Sequence, residues 1–195
     1  MSISAIETEK DEYDGPWKDI IETYFEDFIA FYMPEAHKQI DWSRYYEFLD
    51  KEMERIIRKS AVGKRILDKL VKVWLKNGND IQILIHIEVY GNRKTNVAEI
   101  MYQYMSYSYL RYHQLITGLA ILADDDESWQ PSPEFGYSLF GTKLSYQFNL
   151  IKLLDYLKDA DALEQMDNPF AVVTLAQLKA KETRLDPQLR YQAKW

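Results

Sequence analysis

The chain has 195 residues and a net charge of −7, and 47% of its residues are hydrophobic while 28% are charged. This length suits a single domain, and the hydrophobic fraction excludes an intrinsically disordered chain. The sequence has no cysteine, which excludes a disulfide framework, a thiolate zinc site and a cysteine nucleophile.

The first 14 residues are acidic and polar, and Asp14-Gly15-Pro16 is typical of the point where an ordered domain starts. We therefore predict a flexible tail at 1–14 and one domain at 15–195. No apolar run reaches the roughly 20 residues that span a bilayer. The first residues also lack the basic and then apolar pattern of a signal peptide, so we expect a cytoplasmic protein.

The next segment predicts two amphipathic helices. Apolar side chains recur every three or four residues from Trp17 to Pro34, and again from Tyr45 to Lys59. Proline ends the first pattern and Gly63 follows the second.

The pattern then changes to β-rich segments at 70–75 and 81–89, which flank Asn77-Gly78-Asn79-Asp80. This turn sequence between β-branched runs predicts a hairpin. The rest of the chain predicts a helix at 96–114, strands at 118–123, 137–140 and 143–148, and helices at 150–158 and 169–181. The order of these elements predicts an α/β or α+β domain.

Two acids on this hairpin form the candidate site. Side chains alternate between the faces of a strand, so His86, Glu88 and Tyr90 share one side, and the apolar residues between them face the core. If a three-residue loop centred on Gly78 joins the strands, Asp68 lies opposite Glu88, with Cβ atoms about 4.5–5.5 Å apart. Two carboxylates this close repel unless a proton or a cation lies between them, which predicts a site for a divalent metal.

Other interpretations remain open at this point. A two-residue loop would place Asp68 opposite Val89 and put the acids on different faces. Glu88 could also be a surface carboxylate in an ion pair, with Asp68 as a turn residue. His86 shares the face of Glu88 and could approach the metal, or it could be a structural histidine.

The strings around these acids resemble a known family. They are Ile85-His86-Ile87-Glu88-Val89, the preceding residues 68–74, and the segments 40–43, 47–52, 135–137 and 168–173. In this order and spacing they resemble the bacterial recombination-promoting nuclease and transposase-like family, a branch of the PD-(D/E)XK nuclease superfamily. The resemblance covers roughly Trp17 to the C-terminus.

This resemblance implies a restriction-endonuclease-like mixed β-sheet flanked by α-helices, with metal-dependent cleavage of DNA. It implies that Asp68, Glu88 and the backbone carbonyl of Val89 hold Mg²⁺ or Mn²⁺. It also implies a further acid from a preceding helix, for which Glu47 is the candidate ahead of Asp50. Relatives are expected to continue with further helices beyond the position of Trp195.

Tyr90 departs from the pattern, which has lysine there in the superfamily and usually glutamine in the family. A phenol with a pKa near 10 is neutral at pH 7, so it can donate a hydrogen bond but cannot supply positive charge. Lys51 or Lys72 could supply the charge. Four strand residues separate Lys72 from Asp68, about 13 Å at 3.3 Å per residue, which favours Lys51.

Charge along the chain suggests where DNA would bind. Residues 51–76 carry nine basic and three acidic side chains, whereas residues 1–50 carry four basic and thirteen acidic ones. This segment could face phosphates, or it could be a solvated helix face. The candidate DNA-binding residues are Lys64, Arg65, Lys72 and Arg111. The alternative function is a catalytically inactive module that binds DNA or protein. Such a module could act as a homodimer.

Overall fold

The computed structural model describes residues 14–59, 68–76 and 81–182. The helices are α1 (Asp14–Thr23), α2 (Phe25–Tyr32), α3 (Pro34–Gln39), α4 (Asp50–Lys59), α5 (Val97–Tyr112), α6 (Ala160–Glu164) and α7 (Pro169–Glu182), with a 3₁₀ helix at Leu153–Asp159. The strands are β1 (Glu47–Phe48), β2 (Lys69–Trp74), β3 (Gln82–Tyr90), β4 (Leu115–Leu122), β5 (Glu134–Leu139), β6 (Thr142–Gln147) and β7 (Asn149–Lys152). Nearly all of the predicted tail at 1–14 lies outside the described residues.

Five of these strands form one mixed sheet in the order β1-β2-β3-β4-β7. The pairs β1-β2 and β2-β3 are antiparallel, and the pairs β3-β4 and β4-β7 are parallel. Helix α5 connects the parallel strands β3 and β4, as a parallel connection requires. The protein is therefore an α/β protein with a five-stranded mixed sheet packed against helices, and β5 and β6 form a separate hairpin.

The register of β2 against β3 confirms the hairpin geometry that the sequence predicts for a three-residue loop. Lys69 lies opposite Ile87, and Leu70 lies opposite His86. One position further along the same register brings Asp68 opposite Glu88. The turn residues 77–80 themselves lie outside the described part of the chain.

The main core lies on one face of the sheet. Helices α1, α2 and α7 pack there against the side chains of β2, β3 and β4, including Val71, Ile85 and Ile87. Phe28 and Phe170 are fully buried at the centre, with ring centroids 5.0 Å apart. The prediction that the isoleucine side of β3 faces the core is confirmed.

The opposite face of the sheet is covered as well. Leu70 and Leu84 pack there against Met53 of α4 and Tyr104 of α5. Strands that are buried on both faces are typical of parallel sheets, which helices cover on each side. The face that carries Glu88 is thus an interior surface, and its polar groups need partners.

Three predicted helices differ from the structure. The segment from Trp17 to Pro34 is divided at Tyr24 into α1 and α2, and Pro34 begins a helix, because proline is favoured at the first helical position. The segment 45–59 becomes helical only at Asp50, because residues 47–48 pair with β2 instead. Residues 149–152 form a strand because the edge of β4 is available for pairing.

Within the described residues, we find no helix that is both long enough and apolar enough to cross a membrane.

The packing of α7 against the sheet can be tested by truncating its buried ring. Phe170→Ala should lower the free energy of unfolding by about 3–5 kcal/mol, because it removes a fully buried aromatic side chain and leaves a cavity. The control is Val172→Ala on the same helix, since that side chain is 62% exposed and should change stability by less than about 0.5 kcal/mol. Urea denaturation monitored by circular dichroism measures both, and equal stabilities would contradict the packing.

Candidate functional site

Two buried carboxylates meet where β2 begins and β3 ends. Asp68 directly precedes β2, Glu88 lies near the end of β3, and each is 6% exposed. The backbone N–H of Asp68 donates to Oε1 of Glu88 at 3.3 Å, and the backbone N–H of Val89 donates to Oδ2 of Asp68 at 2.7 Å. The structure therefore brings the predicted pair together, and each acid accepts a hydrogen bond from the backbone beside the other.

His86 fixes the position of Glu88 from within the same strand. Its side chain is fully buried, and its Nε2 lies 2.9 Å from Oε1 of Glu88. Burial lowers the pKa of His86 to about 3, so the imidazole is neutral near pH 7. A neutral imidazole carries one ring proton, and with that proton on Nε2 it donates to an ionised Glu88 carboxylate. Nδ1 has no hydrogen-bond partner among the described residues.

A lysine that the sequence analysis did not identify contacts the other acid. The Nζ atom of Lys18 on α1 lies 3.1 Å from Oδ1 of Asp68, and the lysine side chain is 20% exposed. Fifty residues separate the two groups along the chain. Nothing in the spacing of the sequence indicates this pair, because it depends on how α1 docks against the sheet.

Lys69 forms a second buried ion-pair cluster beside the first. Its side chain is almost completely buried, with Nζ 2.7 Å from Oε2 of Glu22 and 3.7 Å from Oδ2 of Asp50. The hydrogen bond from Lys69 lowers the pKa of the Glu22 carboxyl group. This cluster connects α1, the start of α4 and the start of β2.

Glu47 occupies a strand rather than the predicted helix. It lies opposite Lys72 in the β1-β2 pair, and the two side chains form an ion pair. The less favoured acid, Asp50, is the one at the start of α4. It is nine-tenths buried, and its Oδ1 has no hydrogen-bond partner within the part of the chain described. The catalytic role predicted for Glu47 and the DNA-binding role predicted for Lys72 remain predictions.

The other predicted cations lie in different settings. Lys51 is exposed on α4, where its charge helps to lower the pKa of Glu22. Nη2 of Arg111 lies 2.6 Å from Oε1 of Glu52, which joins α5 to α4. Lys64 and Arg65 lie outside the described residues.

Tyr90 ends β3 with its ring in an apolar cluster. The side chain is 6% exposed and packs with Val97, Met101 and Trp129, with its ring centroid 6.4 Å from that of Trp129. Its backbone carbonyl accepts a hydrogen bond from the N–H of Ala123. The proposed role of the phenol as a donor to water or phosphate remains a prediction.

The donor set at this site consists of hard oxygen atoms. Two carboxylates and the backbone carbonyl of Val89 are the ligand types that Mg²⁺ prefers. Within 14–59, 68–76 and 81–182, no group of three or more His, Cys, Asp or Glu side chains is arranged to hold a metal ion. Mg²⁺ is usually bound by only one or two carboxylates, together with waters and substrate phosphates, so the residues present fit this ion.

Comparisons with known proteins gave no match to a family model, to a curated protein or to a solved structure. The functional interpretation therefore depends on the residues and contacts of this chain.

The support that His86 gives to Glu88 has a measurable consequence. His86→Leu removes the hydrogen bond at 2.9 Å and fills the buried position with an apolar side chain of similar size. We expect the affinity for Mn²⁺ to fall about 10- to 100-fold, as is typical when a group that orients a metal ligand is removed. Calorimetric titration measures this affinity. His37→Leu, at a partly exposed histidine paired with Glu26, is the control and should bind as the wild type does.

Proposed function

We propose that the protein is a Mg²⁺- or Mn²⁺-dependent DNA endonuclease that acts in the cytoplasm and is related to the recombination-promoting nucleases. The observation that carries this proposal is the pair Asp68 and Glu88, two buried carboxylates held together by backbone hydrogen bonds at 2.7 and 3.3 Å. Like charges in this setting are stabilised by a cation, and hard oxygen donors select a hard one.

The proposal includes a restriction-endonuclease-like fold. The resemblance implies a mixed sheet flanked by helices with the acidic site on a hairpin. The five-stranded sheet, its antiparallel β2-β3 pair and the place of both acids on that pair support this assignment.

Each residue of the site has a role in this chemistry. Asp68, Glu88 and the carbonyl of Val89 would hold the metal, which when bound supplies a water of lowered pKa and neutralises charge on the phosphate. The contact between Nε2 of His86 and Oε1 of Glu88 at 2.9 Å keeps that carboxylate in one orientation. The N–H of Val89 does the same for Asp68. Buried neighbours on both faces of the sheet hold the strands that carry these groups.

DNA would be bound by basic side chains. We propose Lys64, Arg65, Lys72 and Arg111 for this role, since Lys and Arg supply the phosphate contacts of most DNA-binding proteins. Lys72 and Arg111 pair with Glu47 and Glu52 in the free protein. Phosphates would therefore replace these carboxylates as their partners.

Removing the carboxylates tests the nuclease directly. Asp68→Asn and Glu88→Gln keep the size of each side chain and remove its charge, so Mg²⁺-dependent nicking of supercoiled plasmid should fall below detection in both. Asp155→Asn alters an exposed carboxylate on the 3₁₀ helix and should leave nicking unchanged. Nicking at the wild-type rate in both site variants would refute the proposed function.

A second function is favoured by the position of Tyr90. Its ring lies in an apolar cluster with Trp129 and brings no positive charge to the site. This suits a catalytically inactive module that binds DNA or protein as a monomer or a homodimer. This protein would bind duplex DNA without cutting it, and Lys64→Glu or Arg65→Glu would weaken binding and reduce its dependence on salt. Fluorescence anisotropy at two salt concentrations measures both quantities. DNA binding that neither charge reversal changes would argue against the DNA-binding form of this module.

A further inference from the structure

Helix α1 contacts the start of β2 through two ion pairs. In one pair α1 supplies the lysine, and in the other it supplies the carboxylate. Lys18 and Glu22 lie one helical turn apart on α1, so they project from the same face of that helix. Asp68 and Lys69 are adjacent at the start of β2. Lys18 pairs with Asp68 at 3.1 Å, and Glu22 pairs with Lys69 at 2.7 Å. The two pairs therefore bring α1 and β2 together in one arrangement.

These two ion pairs differ in how readily they can open. Lys69 is almost fully buried and also lies near Asp50, so separating it from Glu22 would leave a buried charge without its closest partner. The Lys18 side chain is more exposed and has a flexible four-carbon stem, so its ammonium can move into solvent. The buried core residues Trp17 and Ile21 and the Glu22–Lys69 pair keep α1 in place when Lys18 moves.

We propose that the Lys18 ammonium is an exchangeable counter-ion of Asp68, which a divalent cation displaces and which then supplies positive charge to a phosphate at the same site. This inference rests on the proposed nuclease function for its second half. Oδ1 of Asp68 contacts Lys18, whereas Oδ2 accepts the N–H of Val89. An ammonium and a divalent cation both need the carboxylate, so they compete for it.

Displacement of Lys18 by the metal and its contact with phosphate predict opposite effects of one substitution on metal affinity and on cleavage rate. Lys18→Met removes the competing charge, so Mn²⁺ should bind about fivefold more tightly or better, because the ion pair with Asp68 no longer has to be broken. The same variant should cleave plasmid at least about tenfold more slowly at saturating Mn²⁺, since a group that stabilises developing negative charge is absent. A purely structural role for Lys18 would not produce tighter metal binding together with slower cleavage.

Glu22→Gln is the matched control, because it weakens the other ion pair between α1 and β2. It should lower stability without tightening Mn²⁺ binding. Lys18→Arg keeps the charge and should return the Mn²⁺ affinity toward that of the wild type. Lys18→Gln replaces Lys18→Met if thermal unfolding shows that the methionine variant is not folded.

The titration with Mn²⁺ alone separates this inference from the nuclease proposal. If a folded Lys18→Met or Lys18→Gln protein binds Mn²⁺ no more tightly than the wild type, the displacement is refuted. If the variant binds more tightly but the wild type never cleaves DNA, the counter-ion role stands and the nuclease function fails. If neither protein binds Mn²⁺, the displacement is refuted, and the plasmid assay decides the nuclease function separately. Cleavage at the wild-type rate in a variant with tighter binding would refute the role of Lys18 toward phosphate.

Discussion

The hydrogen bond from the N–H of Val89 to Oδ2 of Asp68 joins the beginning of β2 to the end of β3, and the candidate site depends on it. It continues the antiparallel register in which Lys69 lies opposite Ile87. A slip of one residue would turn every side chain of a strand to the opposite face. Glu88 would then point into the apolar core beneath α1 and α2, and the pair of acids would not exist. The alternation of isoleucines in β3 prevents this slip because those side chains fill that core.

Burial on both faces of the sheet explains why each charged group at the site has a partner. Removing one partner from a buried ion pair costs about 3–5 kcal/mol, because the other charge remains without compensation. Asp68 forms an ion pair with Lys18 and Lys69 with Glu22, while Glu88 lies within hydrogen-bond distance of the neutral His86. These three contacts involve β2, β3 and α1, so the electrostatics of the site and the packing of the first helix stabilise each other.

The features that the sequence predicts correctly are the local ones. A short turn and a strict alternation of apolar residues leave two registers for β2 against β3, and the structure has the one that places Asp68 opposite Glu88. Apolar spacing predicts helices that include Glu47 and residues 150–152, but sheet edges offer these residues strand partners. Lys18 could not be identified from the sequence, because its contact with Asp68 arises from tertiary docking across fifty residues.

The apolar surroundings of Tyr90 bear on where positive charge can enter this site. A lysine side chain at position 90 would extend into the cluster of Val97, Met101 and Trp129, where burial penalises an ammonium group. Lys18 reaches Asp68 from α1 and keeps part of its side chain in solvent, so its ammonium group is less heavily desolvated there. An ammonium on α1 is also coupled to folding, because it reaches the carboxylates only when Trp17 and Ile21 are docked in the core. The charge that completes the site is therefore present only in the folded domain, and any change that loosens α1 should alter the acidic pair before it alters the sheet.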